Sequence, residues 1–130
     1  MAGVVHFEIP TENKERANTF YQNAFNWNLS PMQEMDYTIA TTTPSDENTG
    51  MPSAPGAING ALMPRTDNLR TPILTIDVDD VDAALAQVES AGGSVVQAKD
   101  AVPGMGYYAY FKDTEGNILG LWRTDSSAGS

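Results

Sequence analysis

The chain has 130 residues and no cysteine, so it can bury a self-sufficient single-domain core but has no disulfide, thiolate metal site or cysteine nucleophile. Seventeen acidic residues against seven basic ones give a net charge of −10, which sets the surface against nucleic acid and anionic lipid. The opening "MAGVVHFEIP" lacks the basic region and apolar run of a signal peptide, and no stretch reaches the about 18 apolar residues of a membrane span. The expectation is a cytoplasmic protein with neither membrane nor nucleic acid as partner.

"VVHFEIP" reads as a short strand ended by Pro10. "TENKERANTFYQNAFNWN" reads as a helix, with Thr11 as N-cap and Ala17, Phe20, Tyr21 and Ala24 as an apolar stripe. Segments around Leu29–Met32 and Tyr37–Thr42 look like strands. A Pro-, Ser-, Gly- and Asn-rich loop covers Thr43–Gly56. "AINGALMP" and "PILTIDV" are the next strands. "DVDAALAQVESAGG" is a second helix, capped by Asp79 or Asp80, with a stripe of Val81, Ala84, Leu85 and Val88 and a stop at Gly92-Gly93. "SVVQAKD", "YYAYFKD" and "NILGLWR" supply three more strands, and "SSAGS" reads as a disordered tail.

The order β-α-β-β-β therefore occurs twice. Aligning the copies places His6 on Ile73, Ala17 on Ala84, Tyr21 on Val88 and Gly60 on Gly120. The division expected is a first unit over residues 1–66, a second over 67–124 and a tail over 125–130. The fold class predicted is α+β, with duplicated βαβββ units forming curled mixed sheets around a cleft and the helices outside. Strand alternation sends Val5, Phe7 and Ile9 to the helix side. By the same alternation Val4, His6, Glu8, Ile58, Leu62, Ile73, Thr75, Ile118 and Trp122 face the cleft. Glycine inside a strand marks a bulge, a bend or a close approach. Gly60 and Gly120 are expected to leave open volume and bare backbone there.

"HFEIPTENKERANTFYQNAFNW", "DVDDVDAALAQVESAGG" and "FKDTEGNILGLW" together resemble the vicinal oxygen chelate superfamily, which includes glyoxalase I, bleomycin-resistance proteins and extradiol dioxygenases. The resemblance covers nearly the whole chain. It implies the fold just described, but not one chemistry, because many chemistries share that fold. Metal-dependent members place a ligand on the first and last strand of each unit. Those positions fall on His6, Gly60, Ile73 and Gly120, so one donor of four survives, against the roughly three protein ligands of a catalytic metal site. No metal and no other cofactor is therefore expected. The family also commonly pairs its subunits, and a homodimer is expected on that ground.

The remaining candidates are an apolar concavity and a few polar groups, the usual make-up of a small-molecule site. Thr75, Tyr108, Tyr110, Trp122, Gly60 and Gly120 are the candidate ligand-binding residues, with Trp122 as a stacking wall. Trp27 reads as a packing residue. The two glycines and the tyrosines of "VPGMGYYAYF" suit a lid. Tyr108 and Tyr110 share one face of their strand, and alternation alone does not say which. His6, the only histidine, is a candidate general base with Glu8 as its orienting partner. There is no phosphate loop and no nucleophile elbow. Two readings follow. One is a metal-free module binding a small apolar or aromatic molecule; the other is a metal-independent isomerase or lyase using His6 and Glu8.

Overall fold

Strand, helix and three strands do occur twice in the computed structural model, which describes residues 1–33 and 35–130. The first set is β1 (Val4–Thr11), α1 (Lys14–Phe25), β2 (Asn28–Pro31), β3 (Thr38–Thr41) and β4 (Gly60–Pro64). The second is β5 (Ile73–Asp77), α2 (Val81–Ser90), β6 (Ser94–Val102), β7 (Gly106–Lys112) and β8 (Ile118–Thr124). The fold is α+β, as the duplication predicts. Two compact units result, one of residues 6–72 and the other of residues 1–5 with 73–130. The first five residues join the second unit, where the Asp77 amide donates to the Gly3 carbonyl at 2.9 Å.

In the first unit the strands run β2-β3-β4-β1, with β1 parallel to β4 and the other pairs antiparallel. Helix α1 is capped by Asn13, whose side chain accepts from the Arg16 amide at 2.9 Å, and not by Thr11, which ends β1. The expected apolar stripe is only half realised. Ala17 and Tyr21 are half-buried, Phe20 and Ala24 are exposed, and α1 has no buried residue. An aromatic ladder ties the helix to the sheet instead. Phe7 meets Trp27 at 5.6 Å between ring centroids, and Trp27 stacks on Tyr21 at 4.8 Å and 6°. Trp27 is thus a packing residue.

The register pairs Phe7 with Gly60. A Cβ at Gly60 would run into the Phe7 carbonyl and lie 2.5 Å from its ring. Gly60 therefore points to the helix side with Phe7, and Leu62, two residues on, shares that side. The open volume expected at Gly60 and the cleft-facing position expected for Leu62 are both corrected by one register. The glycine marks a close approach.

In the second unit the order is β5-β8-β7-β6, with β5 parallel to β8 and the rest antiparallel. Asp80 caps α2, its side chain accepting from the Ala83 amide at 3.0 Å. Val81 and Leu85 pack with Ala109, Phe111 and Leu121 into a buried cluster, flanked by Ala84 and Val88 as the stripe predicts. The edge strand β6 carries two register breaks, between Val95 and Gln97 and between Gln97 and Asp100, which spoil it as a template for further strand pairing.

Residues 125–130 are not the free tail expected. Ala128 is buried, its carbonyl accepts from the Gly104 amide at 3.0 Å, and the Asp125 amide donates to the Met105 carbonyl at 2.8 Å. The turn expected to act as a lid is held by these bonds, and the tyrosines belong to β7 itself. Sequence composition hides this, because Ser and Gly favour loops whether or not the loop is pinned.

If the Phe7–Gly60 approach sets the register, Gly60→Ala forces apart backbone and ring together. We expect it to cost about 1–3 kcal/mol in urea unfolding. Gly120→Ala is expected to cost less, since a Cβ there would meet only the Thr75 Oγ1 closely, at 3.1 Å.

Candidate functional site

His6 and Glu8 lie two residues apart on β1, on the face opposite Phe7. Residues i and i+2 of a strand stand about 7 Å apart on the same face. Tyr37, just before β3, fills that interval. Its hydroxyl lies 2.8 Å from His6 Nε2 and donates to Glu8 Oε2 at 2.7 Å. Glu8 is buried, and the imidazole is half-buried. Burial holds the His6 pKa below its ordinary value, and the Glu8 charge offsets part of that effect. The expected His6–Glu8 partnership is therefore indirect. Tyr37 was missed by sequence reasoning, which placed it only as a strand residue. Nothing local marks a tyrosine 29 residues from the carboxylate it reaches.

The other candidates gather in the second unit. Tyr108, Tyr110, Gly120, Trp122 and Thr75 share the face opposite α2, with Tyr108 opposite Trp122, Tyr110 opposite Gly120 and Thr75 beside Gly120. The Tyr108 and Tyr110 rings meet edge-on at 5.9 Å and 68°. Trp122 is half-buried; its ring lies over Gly106, where a Cβ would come within 2.7 Å of it, and its Nε1 donates to Thr124 Oγ1 at 3.0 Å. Gly120 is not the open window expected. Thr75 and Tyr110 close over it, at 3.1 and 3.5 Å from where its Cβ would stand, and both are buried. Gly60 belongs to the other unit's helix side and joins neither group.

The positions that bear ligands in metal-dependent relatives do not fit a divalent ion. Gly60 points at Phe7, Ile73 is apolar and 1 % exposed, and Gly120 is roofed by Thr75 and Tyr110. His6 Nε2 is already engaged with Tyr37. Among the described residues, no three His, Asp or Glu side chains group to hold a metal. A hollow of about 70 Å³ in the first unit is lined by Thr11, Glu12, Lys14, Asp36 and Leu62–Pro64, and none of the candidate residues borders it. It is well below the few hundred Å³ of a ligand pocket. Among the described residues, no helix is long and apolar enough to cross a membrane.

The glyoxalase/bleomycin resistance protein/dioxygenase superfamily model matches residues 3–121, and the chain belongs to that superfamily. It is 29% identical over 127 residues to the protein named "Putative glyoxylase CFP32" of Mycobacterium bovis and, equally, of Mycobacterium tuberculosis. The match covers 95% of this chain but 46% of theirs, so the chain spans about half the length of these curated relatives. Among solved structures it resembles a Streptomyces coelicolor methylmalonyl-CoA epimerase variant bound to 2-nitronate-propionyl-CoA, at a TM-score of 0.63 and 16% identity over 100% of this chain and 99% of that one. The Mycobacterium tuberculosis methylmalonyl-CoA epimerase matches at 0.58 and 16%, over 95% and 88%. At such identities these structures establish the fold.

The buried imidazole has a consequence for stability. With its folded pKa lowered, His6 binds a proton more readily in the unfolded chain, so its contribution is complete above about pH 6.5 and is lost as pH falls below that. Acidification from about pH 7.5 to about pH 5.5 should therefore cost the wild type more unfolding free energy than it costs His6→Gln. Parallel urea titrations at the two pH values check this.

Proposed function

We propose that this chain binds a small, partly aromatic or apolar molecule without a divalent metal ion. The observation that carries this reading is the aromatic face of the second unit, where the Trp122 ring packs against Gly106 and Tyr108 stands opposite it in register. A ring fixed by packing and by its own hydrogen bond offers a planar ligand a surface that needs no ordering on binding. The relatives support a small-molecule role in kind: the epimerase structure holds an acyl-CoA analogue, and the mycobacterial relatives are named as glyoxylases. A homodimer in the cytoplasm completes the reading. Sedimentation at micromolar concentration should show a species of twice the chain mass.

A second reading is favoured by His6. An imidazole kept neutral by burial and tied through Tyr37 to a carboxylate is equipped to act as a general base in a metal-independent isomerase or lyase. Glu8 is then hydrogen-bonded to the ring through Tyr37, and its charge raises the proton affinity of the imidazole.

A thermal-shift screen with metals, aromatic metabolites and acyl-CoA compounds tests the first reading, since a ligand of the native state must raise the melting temperature. Stabilisation by an aromatic compound, unchanged by chelator, is expected; stabilisation by a divalent metal alone would refute it. Trp122→Ala should weaken such a ligand by about 1–3 kcal/mol. His6→Gln separates the readings: a binder keeps most of its affinity, whereas an enzyme loses about 10²-fold or more in turnover.

A further inference from the structure

We infer that the aromatic face of the second unit takes a planar organic cation, held over Trp122 and Tyr108 with the carboxylates of Asp77 and Asp100 at its two edges. This rests on the small-molecule reading above and adds the charge of the ligand to it.

The strand registers put these side chains in one row. Asp77 of β5 pairs with Trp122 of β8, Trp122 with Tyr108 of β7, and Tyr108 with Asp100 of β6. Partners in register project to the same face, and neighbouring strands lie about 4.8 Å apart. The row therefore reads acid, indole, phenol, acid. Its last member depends on a bulge. Gln97 stands opposite Tyr110, so regular alternation would bring Lys99 opposite Tyr108. The extra residue between Gln97 and Asp100 brings Asp100 there instead. Lys99 is turned to the helix side, where it pairs with Asp82 of α2 at 2.8 Å and lies 5.1 Å from the Tyr107 ring centroid. One inserted residue thus exchanges a cation for an anion on the aromatic face.

The row is also the accessible part of that face. Thr75 and Tyr110, in the row beside it, are buried over Gly120. Trp122 and Tyr108 are half-buried, and both aspartates are exposed. Among the described residues neither aspartate forms an ion pair. Arg123 alternates with Trp122 to the helix side and donates to the Asp79 carbonyl. Lys112 shares the face but stands four residues from Tyr108 along β7, about 13 Å away. That exceeds the Debye length of about 8 Å at physiological salt. The negative faces of the two rings attract a cation, and a carboxylate at each edge adds to that attraction. An anion meets repulsion from both, and a neutral ring gains only apolar contact.

The test uses three bicyclic probes of similar size on the full chain near neutral pH: N-methylquinolinium, quinoline and 2-naphthoate. Affinity is read from the Trp122 indole N–H resonance, which Trp122→Phe identifies. N-methylquinolinium should bind about tenfold more tightly than quinoline, and 2-naphthoate should bind least. Asp77→Asn and Asp100→Asn should each weaken the quinolinium about threefold and leave quinoline unchanged. Glu89→Gln removes one exposed charge from α2, across the sheet, and should change neither. Quinoline or 2-naphthoate binding as tightly as the quinolinium overturns the cation assignment and spares the binding reading. So does a quinolinium preference that survives both aspartate variants, or one that Glu89→Gln lowers equally. Should an aspartate variant not fold, the order of the three probes on the wild type decides. A Trp122 resonance that none of the probes moves overturns both.

Discussion

The approach of Gly60 to Phe7 is the contact on which the first unit depends. A strand has two faces, and a single residue of slippage exchanges them. By lacking a Cβ, Gly60 lets the Phe7 ring lie across β4 on the helix side, where it reaches Trp27 and, through Trp27, Tyr21 of α1. Alternation then leaves His6 and Glu8 no choice but the opposite face. One missing methyl thus places an aromatic ladder on one side of the sheet and a hydrogen-bonded imidazole on the other. The stacked Tyr21–Trp27 pair adds about 0.5–1.5 kcal/mol beyond its buried area. Its larger effect is to fix which way the strand faces.

The same residue type closes the second unit in another way. Gly120 lets Thr75 and Tyr110 converge over the strand, filling the space in which a metal-dependent relative would carry a ligand. Both glycines are therefore packing solutions. A carboxylate could not be restored at either place without displacing the Phe7 ring or the buried Thr75 hydroxyl. The chemistry left to the chain is that of an imidazole, a phenol and a carboxylate in series in one unit, and of a preformed aromatic face in the other.

Much of this was legible in the residues. The duplication, both helices, the α2 stripe and the grouping of Tyr108 with Tyr110 all follow from local periodicity, which depends only on neighbours in the chain. What could not be read was long-range. The direction of Gly60 depends on the register of β1 against β4, and His6 gains its partner from a tyrosine outside any motif. The C-terminal residues are held by backbone bonds to a turn 20 to 24 positions earlier, which composition does not encode. The α1 stripe failed for a related reason: a helical period announces an apolar face but not how deeply the tertiary structure covers it.

The two helices, repeats of each other in sequence order, differ in how firmly they are seated. Helix α2 buries Val81 and Leu85 in a continuous core, whereas α1 buries no residue and leaves Phe20 and Phe25 more than half exposed. Local opening free energies follow the apolar contacts that must be broken, so the backbone amides of α1 should exchange with solvent through small fluctuations that leave α2 intact. The duplicated architecture would then behave as one cooperative half and one breathing half, and the breathing half is the one that holds His6.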